Sequence, residues 1–574
     1  MSKRNRVITA RLFLWVALLI GIPLFLRMPP WCDLTLYDEA AANLLAGGVH
    51  YRDVFDTNLP GFVWLLTTLR FLFGSSLEVV RLVDLGVVAG IVAIADRLAA
   101  AGGASRPARA SAITAAAWFY PFTSEFNHAQ RDVWMLLPAL SAVLLRVKGI
   151  GHRPRFRSAF LQGILWGVAV WIKPHVLIPA LCVWAASLGP TIRTQGCRAC
   201  LRDAVGLLAG GLLLGGLGLA LLIASGSWPA FVEVFTFWNT GYARVMWIEF
   251  PERIENHFKY FAPWTYGQLI AWPVALLSIV DGLSKRVLIS ARIPASLWSK
   301  PTDETCRASR LLFSALYLGW TAQALVTQRG FHYVHVPEIL LLFFIAATQG
   351  YRLGWVMISW CILTGIVIGL GYHPDQTLPA GRVLKSDPNI WCVRHPVMDL
   401  KRLAEWPGCF RFDATEAEFT ARRQRLAMIR DFFPANNWDE LRELAEELRR
   451  REVTDGDVIA WDDAPHAVYR LVPTRPGFRF MHVRAMMSLG PEQEETILEE
   501  LAVALPKARY VVSDLQRVGF EDPTEIADRN AVGSDLLPPS LHARVRARFP
   551  FTLPVVFRTR EGRGRYLIHA VEAE

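Results

Sequence analysis

The stretch Ala204–Gly226 reads AVGLLAGGLLLGGLGLALLIASG, without a charged side chain anywhere along it. About 20 such residues, wound as a helix, cross the ~30 Å hydrocarbon core of a bilayer. Comparable runs recur from Leu12 to Tyr372 and then stop. The expected spans are 12–28, 77–97, 110–123, 133–147, 158–172, 175–189, 204–226, 264–282, 309–326, 335–349 and 353–372. Residues 1–372 thus read as a polytopic α-helical membrane domain of about eleven transmembrane helices. Residues 373–574 read as a small soluble α/β domain.

Composition agrees. The chain has 574 residues, 53% of them hydrophobic and 20% charged, with a mean hydropathy of +0.27. Soluble proteins carry about a quarter charged residues and lack repeated long apolar runs. The net charge of +10 is placed in the short connections between spans. Arg97, Arg106 and Arg109 share one connection; Arg146, Lys148, Arg153, Arg155 and Arg157 share another. Arg193, Arg198 and Arg202 mark a third, and Lys285, Arg286, Arg292, Lys300, Arg307 and Arg310 a fourth. All fall on the side of the basic N-terminus (Lys3, Arg4, Arg6, Arg11), as cytoplasmic loops should. This pattern argues against nucleic acid as a partner.

Loops 29–76, 124–132, 227–263 and 327–334 are then external, and an odd number of crossings puts the C-terminal domain outside. The apolar run 60–74 is too short for a span. Counting it would also move the basic segment 146–157 outside, so it is expected at the interface. Residues 158–189 break at Lys173-Pro174-His175 and are expected as two short helices. Pro29, Pro30 and Trp31 stand where a signal peptidase needs small residues, so the first span is expected to stay uncleaved.

The soluble part alternates helix and strand patterns. Helices are expected at 415–431, at 438–450 with Asn437 as cap, and near 493–504. Strands are expected at 457–461, 509–513 and 565–571, in a small, largely parallel sheet. No phosphate loop or nucleophile elbow occurs there, which favours a supporting or acceptor-docking role. Cys197 and Cys200 form a C-x-x-C without a second pair at zinc-site spacing. Cys392 and Cys409 are able to pair if their domain faces an oxidising compartment.

Charge near a membrane is expensive and asks for an explanation. The first external loop carries Asp38 and Glu39, and Gly47-Gly48 ends the helical stretch that begins near Asp38. Adjacent carboxylates at a helix start satisfy the macrodipole; they also suit a general base beside a second acid or a metal ligand. Glu125 to Asp132 supplies His128, Arg131 and Asp132 at the outer mouth of two spans, where capping and anchoring compete with function. Gln328 to His335 supplies Arg329, His332 and His335, suited to a phosphate or to lipid headgroups. Lys173 faces the same side. Transporters place ionisable residues near the midplane, whereas these gather at the outer ends.

The ordered set Tyr37-Asp38-Glu39, Gly47-Gly48, Tyr51-Arg52-Asp53, Asn58-Leu59-Pro60-Gly61 and Phe73-Gly74 resembles the first loop of GT-C class membrane glycosyltransferases. The branch it is most similar to is the bacterial protein mannosyltransferase and lipid A aminoarabinose transferase group. Gln130-Arg131-Asp132, Lys173-Pro174 and Gly330-Phe331-His332-Tyr333 resemble its later landmarks, so the likeness covers roughly residues 10–372. It implies an enzyme of the cell (inner) membrane that takes a sugar from a polyprenyl phosphate or pyrophosphate donor. The acceptor, a lipid, glycan or protein, would be modified outside the cytoplasm with inversion. On this reading Asp38 is the base, Glu39 orients it or shares a metal, and Asp132 is the second acid. Lys173, Arg329 and His332 would neutralise the departing phosphate, with His128, Arg131 and His335 nearby. The group often carries a lysine before its first-loop proline; here Asn58 and Leu59 stand there, leaving Arg52 as a substitute. No set of metal ligands is recoverable, so metal dependence is left open.

Two rival readings make different demands. A non-catalytic carrier or flippase of lipid-linked sugars calls for paired halves with matching broken spans, and the sequence shows no such repeat. A C-terminal domain that acts alone needs only one anchor, not this many spans.

Overall fold

The computed structural model describes residues 3–149, 156–245, 250–261, 264–284, 303–328, 331–348, 400–411, 413–427, 435–462, 465–515 and 549–571. The expected span 353–372, Arg329 and Cys392 lie outside the described residues. The membrane part is a run of helices: α1 (Lys3–Arg27), α2 (Cys32–Leu45), α3 (Gly61–Phe73), α4 (Leu77–Ala101), α5 (Arg106–Phe119), α6 (Arg131–Gly149), α7 (Phe156–Ile172), α8 (Leu177–Gln195) and α9 (Cys197–Ala224). It continues through α10 (Trp228–Glu233), α11 (Asn239–Val245), α12 (Phe250–Tyr260), α13 (Gln268–Leu283), α14 (Glu304–Val326) and α15 (Val336–Ala347). A helix occupies every expected span up to 335–349. Among the described residues, Ile8–Arg27, Pro174–Gln195, Cys197–Ala224 and Trp264–Leu283 are long and apolar enough to cross a membrane.

The run 60–74 is the short helix α3, closed by Gly74 at φ 76°, where only glycine is comfortable. Lys173 adopts extended backbone (φ −160°, ψ 121°) and separates α7 from α8, since Pro174 forbids helical geometry before it. Helices α7 and α9 meet backbone to backbone. A Cβ on Gly163 would sit 2.1 Å from the Leu207 carbonyl, and one on Gly210 would sit 2.0 Å from that of Phe160. Small residues permit such approaches between apolar helices, where lipid offers no hydrophobic drive.

The C-terminal part holds a four-stranded sheet, β1 (Val458–Ala460), β2 (Tyr510–Asp514), β3 (Val555–Arg558) and β4 (Tyr566–Ala570), in the order β1-β2-β4-β3. Only β1 and β2 pair in parallel; β2–β4 and β3–β4 are antiparallel. The largely parallel sheet expected from the sequence is thus corrected. The connection from β3 to β4 is a tight one with Arg560 and Glu561 in left-handed backbone, whereas a parallel crossover needs a dozen or more residues. Helices at Glu416–Leu426, Trp438–Arg450 and Pro491–Ala504 match the amphipathic patterns, and the Asn437 side chain accepts from the Glu440 amide as the expected cap.

The C-terminal part lies against the first loop. Thr35 Oγ1 is 2.9 Å from His466 Nε2, Arg423 pairs with Glu78 at 3.1 Å, and Arg479 with Glu233 at 2.7 Å. The last two link it to α4 and α10.

Candidate active site

Helix α2 is buried along most of its length, which is unusual for a loop helix and fixes which face each carboxylate uses. Asp33 and Tyr37 are four residues apart and share a face. Asp38 lies five residues beyond Asp33, about 140° further round. The two carboxylates therefore enter different surroundings.

Asp38 turns toward α3 and the C-terminal part. Arg70 holds it through both oxygens, at 2.6 and 2.9 Å, and Arg470 also contacts Oδ2. Its side chain is 5% exposed. Glu39 beside it lines a cavity of about 420 Å³ shared with Arg70, Asp455, Arg470 and Arg475. Burial pushes the Glu39 carboxyl up to about 7, against the pull of Arg70.

Asp33 faces the other way and is a quarter exposed. Gln130 Nε2 lies 3.4 Å from its Oδ2, and His482 Nε2 lies 4.0 Å from its Oδ1. On the next element Asp132, fully buried in the first turn of α6, receives the Lys173 ammonium at 2.9 and 2.7 Å. Gln328 bridges the pair, donating to Asp132 at 3.1 Å and accepting from Lys173. Lys173 also sits 5.6 Å from the centre of the Tyr333 ring. Arg131 is buried over the Tyr37 ring at 5.1 Å, and its Nε has no hydrogen-bond partner among the described residues. Asp56 completes the floor. Asn58 donates to it at 2.6 Å and to Tyr37 Oη at 3.3 Å. Burial raises the Asp56 carboxyl, although Arg131, Asn58 and His482 oppose this.

The structure thus brings together Asp132, Lys173 and Arg131 from the expected set, and adds Asp33, Asp56, Asn58, Gln328 and His482. Other expected residues lie elsewhere. His128 hydrogen-bonds Thr123 and the Tyr120 carbonyl, both at 3.0 Å, and packs on Phe25. It holds a turn. Arg52 is mostly exposed and paired with its neighbour Asp53 at 2.6 and 3.0 Å, so it does not stand in for a first-loop lysine. His332 is buried beside Phe126, ring centres 5.6 Å apart. His335 joins His257 and Glu338 instead. The Asp33–Tyr37 spacing was visible in the sequence; His482 and Gln328 carried no local signal.

Between α7, α8 and α9 runs an apolar groove of about 610 Å³, lined by Leu59, Trp166, Trp171, Leu181, Leu207 and Leu212 among others. Leu59 adjoins Asn58 in sequence and Trp171 stands two residues before Lys173; the charged side chain in the groove lining is Arg146. Two groups of described residues bring three metal-ligating atoms within 4.8 Å of one another: Cys32, Asp33 and His482, and His257, His335 and Glu338.

Comparison with solved structures decides the architecture. ArnT from Cupriavidus metallidurans in the apo state superposes with a TM-score of 0.55 over 98% of this chain and 97% of that one. The chain has the GT-C fold of ArnT. Sequence identity is 14%, so the likeness is one of fold. The undecaprenyl phosphate-bound structure of ArnT superposes over 98% of both chains, with a TM-score of 0.50 and 13% identity. No protein-family model matches this GT-C-fold chain, and no curated protein matches it in sequence.

Proposed function

We propose that this chain is an inverting glycosyltransferase of the cell membrane, moving a sugar from a polyprenyl-phosphate donor to an acceptor outside the cytoplasm. The observation that carries the reading is the buried Lys173–Asp132–Arg131 cluster near the quarter-exposed carboxylate of Asp33. A lipid-linked phosphate needs cations at its head and an apolar channel for its tail; Lys173 and Arg131 supply the first, and the groove, whose lining residue Trp171 stands two positions before Lys173, supplies the second. That ArnT binds undecaprenyl phosphate on the same fold supports this choice of donor.

The chemistry assigns a role to each group. Asp33 takes the proton of the acceptor hydroxyl as its oxygen attacks the anomeric carbon. The bond from that carbon to the phosphate oxygen breaks on the opposite face, which inverts the centre. Lys173 and Arg131 stabilise the charge that gathers on the leaving phosphate, a preorganised electrostatic contribution. Asp132 and Gln328 hold the ammonium in place. In this scheme Asp33 replaces Asp38 as the base. A carboxylate gripped at both oxygens by Arg70 and closed by Arg470 is a poor proton acceptor, and Asp38 instead ties the first loop to the C-terminal part.

The test is transfer from a radiolabelled polyprenyl phosphate sugar in proteoliposomes, with extracts of outer-membrane or surface glycans as acceptor. Labelled acceptor is the expected product. Lipid movement across the bilayer with no labelled acceptor would instead support a carrier.

A further inference from the structure

The cavity beside Glu39 is separate from the charged cluster around Asp33. Glu39 stands six residues beyond Asp33 on α2, about 9 Å along the helix axis and on a different face. The opposite wall comes from the C-terminal part: Asp455, the short helix Val468–Leu471 and the loop after it through Arg475. The volume of about 420 Å³ falls within the range of small-molecule sites, about 300–1,000 Å³.

Glu39 is the group that asks for a ligand. It is 7% exposed and lines the cavity, and neither of its oxygens has a hydrogen bond or an ion pair among the described residues. A buried carboxyl without a partner is costly, and one that opens on a cavity is satisfied by what fills the cavity. The guanidiniums around it are already engaged. Arg70 gives Nε and Nη2 to Asp38, and Arg470 contacts the same carboxylate and donates to the Ser75 carbonyl at 2.5 Å. Arg475 pairs with Asp455 at 3.4 Å and donates to the Ala46 carbonyl at 2.6 Å. Three carboxyls, those of Asp38, Glu39 and Asp455, thus match three arginines in number, which leaves an anion little surplus charge to meet. What remains is hydrogen-bonding capacity: Nη1 of Arg70 and Nη1 of Arg475 have no partner among the described residues.

Hydroxyl groups suit such surroundings, because each both donates and accepts. Ala42, Leu471 and Pro473 add apolar wall, which the C–H faces of a pyranose ring require. We propose that this cavity is a sugar-binding subsite, in which Glu39 and the free N–H groups of Arg70 and Arg475 hold neighbouring hydroxyls of one pyranose ring. No bond is made or broken there. Resting on the glycosyltransferase function proposed above, the ring belongs to a glycan acceptor and is not the one whose hydroxyl meets Asp33. The acceptor is then an oligosaccharide chain, gripped at a second place by the same helix that carries the base.

The experiment uses full-length protein in lauryldimethylamine oxide, because maltoside and glucoside detergents carry sugars of their own. Saturation-transfer NMR is recorded with methyl mannoside, methyl galactoside and N-acetylglucosamine, each with and without inorganic phosphate as competitor. Transfer to the ring protons of at least one sugar is expected, undiminished by phosphate. Glu39→Ala is expected to weaken binding about tenfold, the loss of one hydrogen bond at a buried site. Since Glu39→Ala also changes a buried position, Ala46→Trp fills the mouth of the cavity from an exposed one and is expected to abolish binding with a melting temperature near that of wild type. In the proteoliposome assay Ala46→Trp should raise KM for the glycan acceptor about tenfold or more and leave KM for the donor unmoved. Absence of saturation transfer from all three sugars, a signal that survives Ala46→Trp, or displacement by phosphate would overturn the subsite. Sugar binding that passes these tests in a protein without transfer activity would sink the glycosyltransferase function and leave the subsite standing. Transfer with an unmoved acceptor KM in Ala46→Trp would do the reverse.

Discussion

The ammonium of Lys173 lies 2.9 and 2.7 Å from the two oxygens of Asp132, with the carboxylate fully buried and the lysine nearly so. Such a pair is poor evidence for stability, because removing two charges from water offsets most of their attraction. Breaking it from one side is another matter. Lys173→Met is expected to lower the melting temperature, at a cost of about 3–5 kcal/mol, and to reduce transfer by about 10²-fold or more. The double variant Lys173→Met/Asp132→Leu should regain much of the stability and none of the activity. Thermal melts and the proteoliposome assay separate the two effects. Recovery of activity in the double variant would mean that the pair only supports the fold.

The first-loop carboxylates should also part company. Asp33→Asn is expected to fold normally and lose about 10²–10⁴ in turnover, the usual contribution of a positioned base. Asp38→Asn should leave Arg70 and Arg470 without their counter-charge and show its main effect in the melting curve. Comparing kcat with melting temperature for both variants is enough. A stable, inactive Asp38→Asn beside an active Asp33→Asn would return the base to Asp38.

Glu39 gives the loop a pH dependence. Its folded carboxyl is pushed up to about 7 from an ordinary 4.5, by burial first, with Asp455 adding and Arg70 opposing. The folded chain therefore holds a proton that the unfolded chain releases. Its contribution is full below pH ~4.5 and declines as pH rises toward ~7, by up to about 1.4 kcal/mol per pH unit, and is flat above that. Glu39→Gln should remove this slope and be the more stable form at pH 8. Denaturation followed between pH 4.5 and 8 would show it, and parallel curves for the two proteins would count against a neutral Glu39.

The groove predicts a selective change in donor binding. Leu181 lines it and is largely exposed, so Leu181→Trp would narrow the channel without disturbing the charged cluster. KM for a long polyprenyl donor should rise with kcat nearly unchanged, while a short-chain prenyl donor should be used as before. Equal effects on both donors would place the lipid elsewhere.

Much of the helical architecture was readable because apolar length is a local property. Ala204 to Gly226 announces a span without help from any other residue, and the shortness of the apolar run 60–74 likewise foretold the short helix α3. Lys173 and Asp132 could be picked out because charge at a membrane edge is conspicuous. Their partnership with Gln328 could not, since it joins three distant segments. The proposal of Asp33 rather than Asp38 as base rests on helix phase. Adjacent acids catch the eye, yet one faces two arginines contributed in part by a domain more than four hundred residues away. The sheet was misread for a similar reason: β3 was not among the expected strands, and the antiparallel pairing of β2 with β4 is not written in strand composition.

The backbone contact of α7 with α9 has a mechanical consequence. With Gly163 and Gly210 leaving no side chain between them, the two helices have nothing to compress and nothing to slide over. They behave as a single wall. On the proposed function, further room for a long isoprenoid tail would come from the opposite wall, α8, which begins just after the extended Lys173. Swinging α8 outward would loosen Lys173 from Asp132, so admission of the tail and release of the headgroup would be one motion.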